Sequence, residues 1–164
     1  MRRSEQDRRK HGLERLRRAA RDAGVKLTPQ RLEIFRELAA TEEHPGAEAL
    51  HRAVRRRMPT VSLDTVYRTL WRLHGLGLVA TLGPQRDGVR FDANLDRHHH
   101  YVCVRCGLVR DFTSAELDAL PVPDGARRLG SVVGAQVEVR GLCRACGRSA
   151  REASTRERRR RSTT

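Results

Sequence analysis

The stretch Ser62-Leu63-Asp64-Thr65-Val66-Tyr67-Arg68-Thr69-Leu70-Trp71-Arg72-Leu73-His74-Gly75-Leu76-Gly77-Leu78-Val79-Ala80-Thr81-Leu82 decides the fold. Ser62 offers a side-chain acceptor at a helix start, and Val66, Leu70 and Leu73 follow at i, i+4 and i+7, the buried stripe of a helix. Asp64, Arg68, Trp71 and Arg72 fall on the opposite face, with Thr65 and Tyr67 on the flanks. After Gly75 and Gly77 the helical period is lost. Residues 78–82, a polar turn through 83–88, and Val89-Arg90-Phe91 read as two antiparallel strands. A helix with a polar outer face followed by a hairpin predicts a winged helix-turn-helix in which this helix enters the major groove of DNA.

Upstream, three further helices are expected. Leu13, Leu16, Ala20 and Ala23 recur at helical spacing from about His11, and Gly24 sits where such a helix stops. Thr28-Pro29 is a cap followed by a first-turn proline, and Leu32, Ile34, Phe35 and Leu38 form the inner stripe of the second helix. The third runs from about Gly46, with Ala49, Leu50, Val54 and Met58 inward, and ends before Pro59. Residues 1–10 have no apolar period and are expected to form a mobile basic arm, so the winged-helix domain is placed at residues 11–92.

Charge supports this reading. The 164 residues carry a formal net charge of +14. Residues 1–36 hold twelve basic and five acidic side chains and residues 148–164 seven and two, whereas the middle holds fifteen and thirteen. Cationic ends around a nearly neutral middle suit a polyanion such as double-stranded DNA. No apolar run approaches the roughly 18 residues of a membrane span and the start lacks an apolar signal core, so a cytoplasmic protein with no membrane role is expected.

Residues 93–147 predict a second, small α+β unit, with strands near Tyr101–Val104, Leu108–Val109 and Val137–Val139 and a helix over Ser114–Leu120 capped by Ser114. A unit of about fifty residues usually needs a metal or a partner subunit for stability. It holds all four cysteines, as Cys103-x2-Cys106 and Cys143-x2-Cys146, each pair followed by a glycine that lets the backbone turn. Two such knuckles make a closed tetrahedral thiolate site suited to structural zinc, with no position left for catalysis. Beyond residue 147 the Arg-rich tail, 148–164, has nothing to bury and is expected to be disordered.

His98-His99-His100 precedes the first knuckle. On a strand His98 and His100 share a face and His99 points away. With Asp92 and Asp111 nearby they offer nitrogen and oxygen donors suited to Fe(II), Mn(II), Zn(II) or Co(II); the same spacing also fits a solvated polar loop. His51 and His74 lie on helices away from these residues and read as ordinary.

Leu27-Thr28-Pro29-Gln30-Arg31, His44-Pro45, Ser62-x2-Thr65-Val66-Tyr67-Arg68-Thr69-Leu70, Arg90-Phe91-Asp92, His98-x-His100-x2-Cys103-x2-Cys106-Gly107, Asp111-Phe112 and Gly141-x-Cys143-x2-Cys146 occur in order. As an ordered set they resemble the ferric uptake regulator family of metal-responsive transcription factors across roughly residues 10–147. The resemblance implies a homodimer with N-terminal winged-helix domains and C-terminal dimerisation domains carrying one structural Zn2+ per subunit. It also implies a regulatory Fe2+ or Mn2+ on His44, Asp92, His98, His100 and Asp111. Aspartates at both carboxylate positions are similar to the peroxide-sensing branch, in which Fe(II) and hydrogen peroxide oxidise a ligand histidine, here His44 or His98, and operator DNA is released. The alternative is an iron-responsive or other divalent-metal-responsive regulator without peroxide sensing.

For DNA, Tyr67 and Arg68 match the family's contact positions; Ser62 and Thr65 are added beside them, and Lys26 and Arg31 on phosphates. Tyr67 packing against the wing is the other reading of that residue. A further metal site of the family falls on Arg97, His99, Asp118 and Ala135 here, a set that does not supply its donors, and Asp96 stands where the nickel branch has a histidine. Two other classes fit the sequence less well. A metal-dependent hydrolase needs a positioned base and a substrate pocket, for which no motif is present. A purely architectural zinc protein predicts DNA affinity indifferent to Fe or Mn.

Overall fold

A computed structural model describes residues 5–85, 88–132 and 134–149. The chain divides into two units between Asp96 and Arg97.

The first unit opens with four helices, α1 (Glu5–Asp22), α2 (Pro29–Ala39), α3 (Ala47–Arg55) and α4 (Leu63–Gly75). The local signals act as their chemistry predicts. The Thr28 hydroxyl accepts the Arg31 N–H at 3.3 Å ahead of Pro29, and the Ser62 hydroxyl accepts the Thr65 N–H at 3.1 Å. At the far end of α4, Gly77 adopts φ 66°. That left-handed turn lets the Gly77 N–H reach the His74 carbonyl and the Leu78 N–H reach the Leu73 carbonyl, satisfying acceptors the helix leaves open.

The chain then enters β1 (Ala80–Gln85), which pairs antiparallel with β2 (Gly88–Asp92) in the register Ala80↔Asp92, Thr81↔Phe91 and Leu82↔Arg90. Leu78 and Val79, expected within the first strand, instead precede it and are buried. They pack in one core with Leu16, Ile34, Phe35, Leu50, Val54, Val66, Leu70 and Phe91. Every helix and the wing contribute to that core, so the wing and the fourth helix have fixed positions in one rigid body.

Three expected boundaries shift: the units divide after Asp96 rather than Asp92, a helical segment over 144–149 reaches two residues into the tail expected from 148, and the first helix begins earlier. The first helix starts at Glu5, not His11, so residues 5–10, expected in a mobile arm, are helical. Glu, Gln, Arg and Lys are good helix formers without any apolar period, and a helix nucleated on the core through Leu16 extends through them at little cost. Residues 1–4, and the tail beyond residue 149, lie outside the described residues.

The second unit has β3 (His99–Cys103), β4 (Val109–Phe112), α5 (Ala115–Asp118), α6 (Asp124–Arg127) and β5 (Glu138–Gly141). Strand order is β4-β3-β5, with β3–β4 antiparallel and β3–β5 parallel. The Ser114 hydroxyl accepts the Leu117 N–H at 3.3 Å and starts α5; α6, after Pro123, was not expected. The buried apolar side chains of this unit among the described residues are Val102, Cys103 and Val109. Leu120, Leu129, Val132, Val139 and Leu142 are exposed, so the unit lacks a core of its own large enough for ordinary stability. Among the described residues no helix is long and apolar enough to cross a membrane.

Candidate metal centre and DNA face

The four cysteines converge, with their sulfurs within 4.8 Å of one another. Cys103 ends β3, whose register sets it opposite Gly141, and the chain then carries Cys143 back to it. The Cys143 N–H donates to Cys103 Sγ at 3.3 Å, and Cys106 Sγ lies 3.8 Å from Cys143 Sγ. Gly107 takes φ 70° to close the first knuckle, with its N–H on the Cys103 carbonyl at 2.9 Å. The second knuckle differs from expectation. Gly147 has no left-handed φ and lies in a helical segment, 144–149, its N–H on the Cys143 carbonyl at 2.8 Å. There the helical turn itself does what a flexible glycine was expected to do.

Backbone N–H groups of Cys143 and Cys106 hold the Cys103 thiol down to about 6, whereas Cys146, sharing protons first with the Cys143 thiol, is pushed well up. Such a group of thiols, one readily a thiolate and all within ligating reach, fits a four-coordinate soft cation.

The histidine run divides as the strand period predicts. In the second unit the Nε2 atoms of His98 and His100 stand 2.9 Å apart, 3.7 and 3.6 Å from Asp111 Oδ1. The β3–β4 register causes this by setting Asp111 opposite His100. All three donors converge on one side, His100 and Asp111 from paired strands and His98 from the residue just ahead of β3.

His99 faces the other way. Its Nδ1 accepts the Val137 N–H at 3.2 Å and its Nε2 lies 3.3 Å from Asp118 Oδ1, which the Arg97 Nε also approaches at 2.9 Å. The guanidinium already takes the place a cation would hold on this carboxylate, and Arg97 and Ala135 supply no donor atom, so these residues do not fit an additional ion.

In the first unit the second pair of oxygen and nitrogen donors forms. His44 Nε2 lies 3.4 Å from Asp92 Oδ2, both side chains buried, and the other Asp92 oxygen accepts the Asn94 N–H at 2.7 Å. His44 has φ 49°, the one left-handed non-glycine among the described residues. That conformation costs roughly 1–2 kcal/mol in an L-residue, and its place before Pro45 restricts it further. His51 and His74 instead bond backbone carbonyls of Val61 and Val79, at 3.0 and 2.9 Å.

The residues expected at DNA lie in the first unit. A cleft between the start of α2 and the outer face of α4 is lined by Arg31, Thr65, Tyr67 and Arg68, and also by Gln30, Trp71 and Arg72. Lys26 and Ser62 lie outside its lining. The Arg31 guanidinium donates to the Lys26 carbonyl at 2.6 Å, and Arg68 pairs with Asp64 one turn back at 2.9 Å in an exposed contact of little worth.

Tyr67 is tied to the third helix. Its hydroxyl donates to Glu48 of α3 at 2.6 Å, and Trp71 meets the wing, edge-on to Phe91 with ring centroids 5.7 Å apart. Trp71 and Arg72 stand one turn beyond Tyr67 and Arg68, an i, i+4 relation through which the sequence could have found them.

The Ferric uptake regulator family model matches residues 22–124. The chain is 32% identical over 136 residues to the Peroxide-responsive repressor PerR of Staphylococcus epidermidis (strain ATCC 12228 / FDA PCI 1200), covering 83% of this chain and 91% of that protein. A zinc-bound manganese uptake regulator structure is 32% identical, with TM-score 0.61 and 78% and 98% of the two chains covered. The Helicobacter pylori ferric uptake regulator shares the fold at TM-score 0.67, with 23% identity over 85% of this chain and 93% of that one. With the winged-helix cleft and the converging donors, these matches make the chain a member of the ferric uptake regulator family, a metal-dependent dimeric DNA-binding repressor and not an enzyme.

Proposed function

We propose that the protein represses transcription from operator DNA while a regulatory divalent cation is bound, and releases that DNA when hydrogen peroxide oxidises a histidine of the site. The ligands in this reading are His44 and Asp92 from the first unit with His98, His100 and Asp111 from the second. Cys103, Cys106, Cys143 and Cys146 hold a structural Zn2+. The exposed apolar side chains of the second unit are covered by the same unit of the partner protomer.

The observation that carries the reading is the donor set itself. Each unit holds a partial site, one histidine with one aspartate and two histidines with one aspartate, each with its nitrogens and oxygens already close. Neither alone satisfies a five- or six-coordinate ion, and together they suit Fe(II) or Mn(II), harder cations than the thiolate site takes. A cation held by both units fixes the spacing of the two α4 helices in a dimer against operator half-sites. Fe(II) held by these ligands would supply the one-electron chemistry that splits the peroxide O–O bond, hydrogen peroxide being the net two-electron oxidant that gives one oxygen to an adjacent imidazole carbon and leaves the other as water; Mn(II) would not. The aspartate pair and the resemblance to peroxide-responsive repressors favour this signal over iron level alone.

In the DNA complex Lys26, Arg31, Ser62, Thr65, Tyr67 and Arg68 contact the operator. The arginines add salt-dependent affinity for phosphate.

Operator binding by the Fe(II)- and Mn(II)-loaded protein, with and without hydrogen peroxide, tests the proposal. Peroxide should abolish binding by the iron form only, with a gain of one oxygen on a peptide containing His44 or His98. Binding that withstands peroxide in both forms overturns it.

A further inference from the structure

We propose that Arg90 is a positioning residue for the regulatory cation, acting through the backbone of His44. The inference rests on the reading above in which His44 and Asp92 are ligands. Three consecutive residues of β2 grip the corner formed by His44 and Pro45. The Arg90 guanidinium donates from Nη1 to the His44 carbonyl at 3.3 Å. The Phe91 N–H donates to the Pro45 carbonyl at 3.2 Å. Asp92 then places its carboxylate 3.4 Å from the His44 imidazole.

This grip has a physical purpose. His44 sits at φ 49° and precedes a proline, so left alone the corner relaxes to extended backbone and swings the imidazole away from Asp92. A strained conformation persists only where its surroundings over-determine it. Phe91 anchors the strand, being buried in the core of the unit. Arg90 uses the same strand to hold the one carbonyl that reports the left-handed turn. A charged donor makes the stronger kind of hydrogen bond, and in a half-buried setting water competes less for it. The result is a preformed histidine–aspartate pair that meets the cation without first having to order a loop.

The test uses the full-length, zinc-loaded protein and Mn(II) as probe. Arg90→Ala should lower Mn(II) affinity about tenfold or more with zinc content unchanged, and Arg90→Lys, which keeps a cationic donor, should recover part of the loss. In a double-mutant cycle, Arg90→Ala added to His44→Ala should cost nothing more. Without Mn(II), imidazole NMR signals of His44 should move in Arg90→Ala while those of His51 and His74 stay. Full Mn(II) affinity in Arg90→Ala, or an undiminished loss on top of His44→Ala, overturns the role of Arg90. Unchanged affinity in His44→Ala overturns the ligand reading itself, and this inference with it.

Discussion

The hydroxyl of Tyr67 on α4 donates to the carboxylate of Glu48 on α3 at 2.6 Å, and so an acidic side chain stands beside a residue expected to touch DNA. The Tyr67 hydrogen bond, chiefly, holds the Glu48 carboxyl below its ordinary range, and the same bond raises the Tyr67 phenol. A carboxylate depressed in the folded state contributes at pH above its unfolded pKa, and the contribution is lost as pH falls through the folded value. Tyr67→Phe should therefore raise the Glu48 titration midpoint toward that of a free glutamate, as read by carboxyl-carbon NMR. An unmoved midpoint means the bond does not persist in solution.

The origin of this contact shows what the sequence could and could not say. Val66, Leu70 and Leu73 placed the inner stripe of α4, and Ser62 its start, because both signals are local. Tyr67 and Trp71 share a face four residues apart, and only the wing's approach determines which of them it meets; Phe91 meets Trp71. The strand period separated His98 and His100 from His99, yet nothing local foretold the Arg97–Asp118 pair that His99 faces. The left-handed His44 is likewise a product of β2, forty-six residues later. Charged residues 5–10 carry no apolar period, and the helix runs through them on the propensity of Glu, Gln, Arg and Lys alone, a signal that amphipathic pattern does not carry.

The cleft between α2 and α4 predicts additive electrostatics at DNA. Arg31 and Arg72 both line it, and neither shows an acidic partner among the described contacts, whereas Arg68 must first leave Asp64. Each phosphate contact removed should lower the slope of log affinity against log salt by about 0.9. Arg31→Ala and Arg72→Ala should each show that change, and Asp64→Ala should tighten binding modestly. Trp71 is the sole tryptophan of the chain and lies in the cleft, so its fluorescence should change as operator is titrated in. Constant emission at saturating DNA would place the interface elsewhere.

The thiolate site should govern the stability of the second unit. Val102, Cys103 and Val109 are its buried apolar side chains among those described, too few for a unit of its size. Thiolate coordination of zinc is worth about 10–16 kcal/mol in small zinc-dependent modules. Cys106→Ser, at the most exposed of the four positions, should lose zinc and dissociate the dimer, with the helices of the first unit intact by circular dichroism. A zinc-free variant that remains dimeric would show that the partner's apolar surface is sufficient alone.

Gly141 tests how closely that site is packed. It pairs with Cys103 across β3 and β5 and stands two residues before Cys143. A Cβ there would lie 2.7 Å from the Tyr101 hydroxyl and 3.3 Å from its ring, so the ring must move for any side chain to fit. Burial, followed by the charge of the nearby cysteines, Cys103 first, raises the Tyr101 phenol. Gly141→Ala should cost roughly 1–3 kcal/mol, the usual range for overpacking, and weaken zinc retention against a chelator. Tyr101→Phe should recover the part due to the hydroxyl, and in Tyr101→Ala the alanine at 141 should be nearly free of cost. If the penalty of Gly141→Ala persists undiminished without the ring, it arises from the β5 backbone, and Tyr101 has no part in shaping the knuckle.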